Sequence, residues 1–548
     1  MKWLAVVAVA ACSSASQVPP PRFANAPAVE IVNDRRDVPK QPSTSEFLKD
    51  IYNYDGLVQR RLERTLELPP PTRARGVNAL DEVPDSTWFT NRIGVRDMSV
   101  DEIVKGPLTI ESPELHKPWT VTSTKTGGAE VGFAITDARG EKFLLKFDTA
   151  KYPEQETGAH VIVEKLLWAC GYNVTSDYIV HFRDEDLVLA KDAVVKDSSR
   201  SEPHPLTRDV LEARLGLIQR DENGSYRALA SQWLPGKPLG GHPAEGVRED
   251  DPNDRIPHEL RRELRGFYTF AAWLDHSDIQ QGNFLDVWVT DPVDKTRHYV
   301  EHYLLDFGKS LGVYASTGHD PRRGYDYWFD PSEVLQSLVS FGLVERSWED
   351  RRHVPIRGVG AYDAVTFDPD RWHPTTAAYI PFTTRDRFDG FWAAKILMRF
   401  TPAQIRAVVA SAQYTDPRAV DYLTDMIIRR QRMTGAYWFA RVNPLDRFRV
   451  EAGAVCFDDL ALVYGFTDAA TTYTATTFDE RGHRLAAATG QGHGPHACTR
   501  PLALGSGPDA YTIVEITTHR ADFAGRTFVH LARDPKNHEL RVIGVWRV

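Results

Sequence analysis

His276-Ser277-Asp278-Ile279-Gln280-Gln281-Gly282-Asn283 opens the stretch that decides the fold, and Asp306-Phe307-Gly308 closes it; an apolar, hairpin-like segment lies between. Three polar groups therefore stand in a fixed order: Asp278, then Asn283, then Asp306 at the end of a strand pattern. Phosphoryl transfer from a magnesium–nucleotide complex needs such a set. One carboxylate must orient or deprotonate the acceptor hydroxyl. One carboxamide and one carboxylate must hold the metal against the phosphates, because Mg2+ prefers oxygen ligands and keeps positions for water and phosphate.

The surroundings suit that reading. Leu260–Asp275 carries Leu260, Leu264, Phe267, Phe270, Ala271 and Leu274 on one broad apolar stripe, which predicts a helix ending at Asp275. Phe284–Val289 and Tyr299–Asp306 read as strands flanking Thr290–Arg297. With His276–Asn283 in the place of a catalytic loop and Asp306-Phe307-Gly308 in that of a metal-binding motif, the chain resembles the protein-kinase superfamily. It departs from ordinary Ser/Thr kinases in Ser277 where they have Arg, in Gln280 where they have Lys, and in a longer gap from Asn283 to Asp306. Those departures point to the atypical bacterial branches, similar to CotH-type, HipA-type and aminoglycoside-phosphotransferase-like enzymes.

Upstream, residues 117–235 read as a β-rich lobe. Trp119–Ser123, Val131–Ile135 and Lys142–Asp148 have strand patterns, and Tyr178–Phe182 with Asp186–Ala190 reads as a further strand pair. Gly127 and Gly128 form a turn whose backbone N–H groups could approach phosphates, although most such turns are plain hairpins. Lys146 sits on an apolar strand, where a charge needs a partner; the bland alternative is a lysine that snorkels from a strand edge. The resemblance implies that Lys146 holds the nucleotide phosphates and that Glu156, at the start of the helix Glu156–Ala169, orients it, with Glu164 as the other helical candidate. It also implies that the strand Tyr226–Trp233 ends at a hinge, where Gln232, Trp233 and Leu234 would line the adenine site. Asp278 takes the catalytic role, and Asn283 with Asp306 the metal. The cofactors implied are ATP and Mg2+, with Mn2+ as a substitute.

Downstream, Phe388–Met398, Pro402–Ala412 and Arg418–Thr434 are amphipathic and helical, whereas 312–388 is aromatic and turn-rich with no readable acceptor motif. From 446 onward, short β-branched runs separated by Gly, Asp and Asn turns predict a small β-sandwich. His493, His496 and Cys498 invite a metal reading, but their Gly-Pro-rich setting favours a surface loop. Asp85–Arg92 is a dense aromatic-polar cluster, either a cap over the cleft or an anchor that docks the N-terminal extension; the anchor is the simpler reading.

The length of 548 residues calls for about three domains. With 42% hydrophobic and 26% charged residues the composition is that of a globular protein, and the net charge of −9 gives no electrostatic case for nucleic acid as a partner. Lys2 followed by the apolar run Trp3–Ala11 and Cys12-Ser13 resembles a lipoprotein signal, with Cys12 as lipid anchor. That implies the bacterial cell envelope, with the outer membrane favoured by Ser13 and with membrane contact only through the N-terminal lipid. The alternative is a cytoplasmic protein. Export would allow Cys456 and Cys498 to pair.

The expected architecture is α+β. A signal segment (1–12), a disordered tether (13–45) and an N-terminal extension (46–116) precede a bilobal kinase-like core. That core comprises an N-lobe (117–235) and a helical C-lobe (236–445), followed by the β-sandwich (446–548). The expected activity is transfer of the γ-phosphoryl of Mg-ATP to a hydroxyl of a protein or small molecule. The rival reading is a catalytically silent kinase-like lipoprotein that binds envelope partners, the C-terminal domain contacting a protein.

Overall fold

The computed structural model describes residues 33–45, 52, 54–59, 72–125, 131–196, 203–314, 320–327, 330–346, 348–349, 354–374, 379–489, 494–504, 511–521 and 523–548. Gly127, Gly128, Cys12 and His493 lie outside them. The chain divides into two compact units, one of residues 28–78 and 82–441, the other containing 79–81 and 442–548.

The larger unit is mixed α and β. Its main sheet has seven strands in the order β4-β7-β3-β2-β1-β5-β6. They are β1 (Trp119–Thr124), β2 (Gly132–Thr136), β3 (Lys142–Lys146), β4 (Asp177–Phe182), β5 (Leu187–Val195), β6 (His204–Pro205) and β7 (Tyr226–Gln232). The period of two along β3 explains how one strand serves both core and site. Phe143 and Leu145, followed by Phe147, enter the main hydrophobic cluster with Trp119, Val121, Phe133 and Tyr226. Lys142, Leu144 and Lys146 face a cavity on the other side. The helix Gln155–Cys170 follows, almost wholly buried. It ends at Gly171, where φ is +135° and an added Cβ would collide with the Phe89 ring.

One strand pairing differs from the sequence reading. β4 and β5 do not form a hairpin: β4 pairs with β7, and β5 runs parallel to β1. Asp186 directs the change. It accepts from the Arg183 backbone at 2.8 Å and from the Lys117 ammonium at 2.9 Å, which turns the chain toward the β1 edge.

A second sheet, β10-β9-β8, is built from β8 (Lys237–Gly240), β9 (Phe284–Thr290) and β10 (His298–Leu304). Residues 33–45, expected within a disordered tether, lie against it. The Val38 backbone donates to His298 and accepts from the Trp288 indole, and Ser45 donates to Leu239 O at 2.7 Å. Val38 is buried, so this end of the tether has a hydrophobic reason to stay. The helices Arg262–Leu274, Arg387–Leu397, Pro402–Ala410 and Pro417–Phe439 belong to the same unit. They meet through buried aromatic and ionic groups. Arg265 lies 2.7 Å from Asp389, and the Trp273 indole donates to Ile427 O at 2.9 Å.

The aromatic-polar cluster acts as an anchor. Trp88 stacks on His302 with ring centroids 3.5 Å apart, and Phe89 packs on Tyr172 and Trp392. Neither residue lines the cavity beside Lys146.

The smaller unit holds two antiparallel sheets, β11-β12-β15 and β14-β13-β16-β17-β18. Their strands are β11 (Leu445–Glu451), β12 (Ala454–Asp459), β13 (Thr472–Phe478), β14 (Arg484–Thr489), β15 (His496–Cys498), β16 (Tyr511–Arg520), β17 (Phe523–Arg533) and β18 (Leu540–Arg547). Both sheets feed one cluster, which includes Val455, Phe457, Tyr473, Ile516 and Leu531. Cys456 and Cys498 face each other across β12 and β15 and form a disulfide. That bridge removes Cys498 from any metal reading, and His496 is instead paired with Asp458 at 2.7 Å.

Candidate functional site

The helix Arg262–Leu274 is buried along its length and ends on Asp275, in a left-handed conformation. Its apolar stripe packs into the unit, and the chain leaves as the loop His276–Asn283. His276 sits under the following turn. Its Nδ1 is 2.9 Å from Ser310 Oγ, and its ring is 5.4 Å from that of Phe307. Burial pushes the His276 imidazole down to about 4, which leaves it neutral and structural. Phe307 is fully buried between His276 and His160.

Backbone bonds lace the two motifs together. Leu305 N donates to Asn283 O at 2.9 Å, and Ser277 N to Lys309 O at 3.3 Å. The fold thus brings Asp278, Asn283 and Asp306 to one place. The Asn283 amide nitrogen donates to Asp278 O at 2.6 Å, which leaves its carbonyl oxygen as the atom offered to a cation. Asp306 has φ +60°, a conformation that Asp tolerates better than most residues. Its Oδ1 lies 3.0 Å from Lys146 Nζ, a contact across 160 positions of sequence.

This ion pair decides the local electrostatics. The Lys146 ammonium, outweighing burial, holds the Asp306 carboxyl well below the usual carboxylate range. Burial alone would lower the Lys146 pKa; the charges of Asp306, Asp177 and Glu156 more than offset it, and the pKa rises. Both groups are charged at neutral pH. Glu156 lines the same small cavity as Lys146, Asp306, Gly308 and Lys309. Glu164, the other helical candidate, is fully buried and accepts from the Asp177 backbone at 3.3 Å.

Sequence reading missed Asp177 and His160. His160 Nε2 lies 2.7 Å from Asp177 Oδ2, both are buried, and Asp177 ranks ahead of Glu156 among the charges acting on Lys146. Nothing in the sequence marks them, because they meet only when β4 comes to lie beside the Gln155–Cys170 helix.

The larger cavity, of about 600 Å³, opens from this cluster. Its lining includes the apolar Leu144, Leu234, Leu285, Val287 and Leu305, the polar Thr175, Ser231 and Gln232, and the charged Lys142, Lys146, Lys237 and Asp306. Gln232, Trp233 and Leu234 all line it, as the hinge reading expects of them. Two of their backbone donors are already used: Gln232 N donates to Ser176 O at 2.9 Å and Trp233 N to Lys142 O at 3.0 Å. A flat apolar ring system with a charged tail matches this lining of apolar and ionic groups. The oxygen donors of Asp306 and Asn283 fit a hard divalent cation such as Mg2+ or Mn2+.

A second ionic cluster lies outside that cavity. His242 Nδ1 and His302 Nδ1 lie 3.2 and 2.7 Å from Asp286 Oδ1, all three residues buried. Arg248 takes the other carboxylate oxygen at 3.1 Å. With that guanidinium in place, the carboxylate is already neutralised, and the set is a hydrogen-bonded core rather than a cation site. Trp88 covers it.

No family model matches the chain, and no curated protein matches it significantly. Among solved structures, the proinflammatory kinase CtkA of Helicobacter pylori aligns at 10% identity over 58% of this chain and 97% of its own, with a TM-score of 0.31. A Golgi casein kinase with Mn/ADP bound aligns at 12% identity over 72% and 91%, with a TM-score of 0.30. The MAP kinase LmaMPK10 of Leishmania major aligns at 10% identity over 58% and 80%, with a TM-score of 0.17. Scores this far below 0.5 do not establish a shared fold, and the reading below is carried by the cleft's own geometry.

Proposed function

We propose that the larger unit is a two-lobed, kinase-like phosphotransferase that takes ATP as donor. The observation that carries this is the Lys146–Asp306 pair in the lining of the cavity, with Asp278 and Asn283 laced to Asp306 through the Asn283–Leu305 backbone bond. A structural ion pair would have no need of an adjoining cavity, a second carboxylate and a carboxamide.

In this reading the purine enters between Leu144, Leu234 and Leu285, and Lys146 binds the phosphates. Glu156 and Asp177 keep Lys146 charged and oriented. A divalent ion held by Asp306 and Asn283 would neutralise charge on the phosphates when bound. Asp278 accepts the proton of the acceptor hydroxyl. That oxygen forms its bond to the γ-phosphorus as the bond from phosphorus to the β–γ bridging oxygen breaks, and ADP leaves. The acceptor is a hydroxyl of a protein or small molecule.

The remaining readings belong to the same proposal. Cys12 is a lipid anchor, residues 446–548 are a β-sandwich that meets an envelope partner, and the chain works in the bacterial envelope. The Cys456–Cys498 bridge supports an oxidising compartment.

The test is turnover of radiolabelled ATP by the purified chain. Asp306→Ala is expected to lower turnover by about 10²-fold or more. Turnover equal to that of the unaltered chain would reject the assignment.

A further inference from the structure

Gln280 stands where ordinary protein kinases carry a lysine, so the cation that would face both the proton acceptor and the transferring phosphoryl group is missing from the loop. The structure offers a replacement from the other motif. Lys309, directly after Gly308, brings its Nζ to 2.8 Å from Asp278 Oδ2. The Asp278 side chain is only 4% exposed, so the contact is with a largely desolvated carboxylate. The Lys309 backbone is fixed to the loop by the Ser277 bond. Its side chain lines the small cavity with Lys146, Glu156 and Asp306, and its Nζ lies 5.7 Å from the Tyr314 ring.

We infer that Lys309 is the catalytic cation of this site, in the post that Gln280 leaves empty. The inference rests on the phosphotransferase reading above. The physical need is plain. A triphosphate brought up to Asp278, Asp306 and Glu156 adds negative charge to a cluster already rich in carboxylates. Lys146 is engaged by Asp306. Lys309 touches the proton acceptor and shares the small cavity of the phosphate-binding residues. Its charge lets Asp278 stay close to the γ-phosphoryl group without repelling it, and it follows the charge that develops there as the bond to the bridging oxygen breaks. The sequence moves this lysine from the catalytic loop to the metal-binding turn, while the fold returns it to the same carboxylate.

Two measurements on the full chain test this. The first is kcat of Lys309→Met and Lys309→Arg. The second is binding of ADP and of β,γ-imido-ATP by calorimetry, with the melting temperature as a check on folding. Lys309→Met is expected to lower kcat about 10²-fold while ADP affinity stays within about 3-fold, and to lose any preference for the imido-triphosphate over ADP. Lys309→Arg, which keeps the charge with a different shape, is expected to retain ADP affinity and part of the rate; it stands in should the Met variant fail to fold. An unchanged kcat, or an ADP affinity that falls as far as that for the imido-triphosphate, overturns the inference. A wild-type chain that binds no nucleotide and transfers no phosphoryl group overturns the phosphotransferase reading itself, and the Lys309 assignment with it.

Discussion

At the scale of single residues, the molecule spends its buried charges in pairs, and each pair has a consequence. Burial alone would raise the pKa of Asp286, but His302 and His242 outweigh it and hold its carboxyl far below the usual range. A group with a depressed folded pKa adds stability that is complete above its unfolded value, about pH 4, and is lost as pH falls below that. Asp286→Asn is therefore expected to flatten the acid limb of the stability–pH curve, read as urea midpoints between about pH 2 and 7. Asp286→Ala, which removes the buried carboxylate shared by His242, His302 and Arg248, is expected to cost about 3–5 kcal/mol at neutral pH. A midpoint indifferent to both changes would contradict this. Asp278, Asn283 and Asp306 were legible in sequence because their chemistry and order are local signals. Lys309 was not, since one lysine after Gly308 has no spacing to mark it. His302 opposite Asp286 was recoverable in principle, because a hairpin closing from Thr290 to His298 fixes that register.

At the scale of elements, the period of two in β3 and the apolar stripe of Arg262–Leu274 set the site, and both could be read directly. The strand partners of β4 and β5 could not. Adjacency in sequence suggested a hairpin, whereas the parallel pairing of β5 with β1 is non-local and depends on where Asp186 turns the chain. The end of the Gln155–Cys170 helix shows the opposite case. A glycine after a helix reads as a stop, but the reason Gly171 must be one is tertiary. Its φ of +135° and the Phe89 ring beside it both exclude a side chain. Gly171→Ala is expected to destabilise the larger unit by about 2 kcal/mol or more in urea unfolding. A loss under about 0.5 kcal/mol would show that Phe89 yields freely.

At the scale of the whole molecule, the larger unit gathers residues from 125 to 309 into one cleft, and the smaller unit carries its own core and its own disulfide. The cleft's electrostatics make the central claim directly measurable. Lys146 and Asp306 face each other at 3.0 Å beside an apolar cavity, a layout suited to a Mg-nucleotide whose phosphates meet the lysine and whose metal meets the carboxylate. Calorimetric titration of the purified chain with ATP, with and without Mg2+, reads this most simply. The expected result is saturable, Mg2+-dependent binding that weakens by about tenfold or more in Lys146→Met. No binding by the unaltered chain, or equal binding by Lys146→Met, would contradict it.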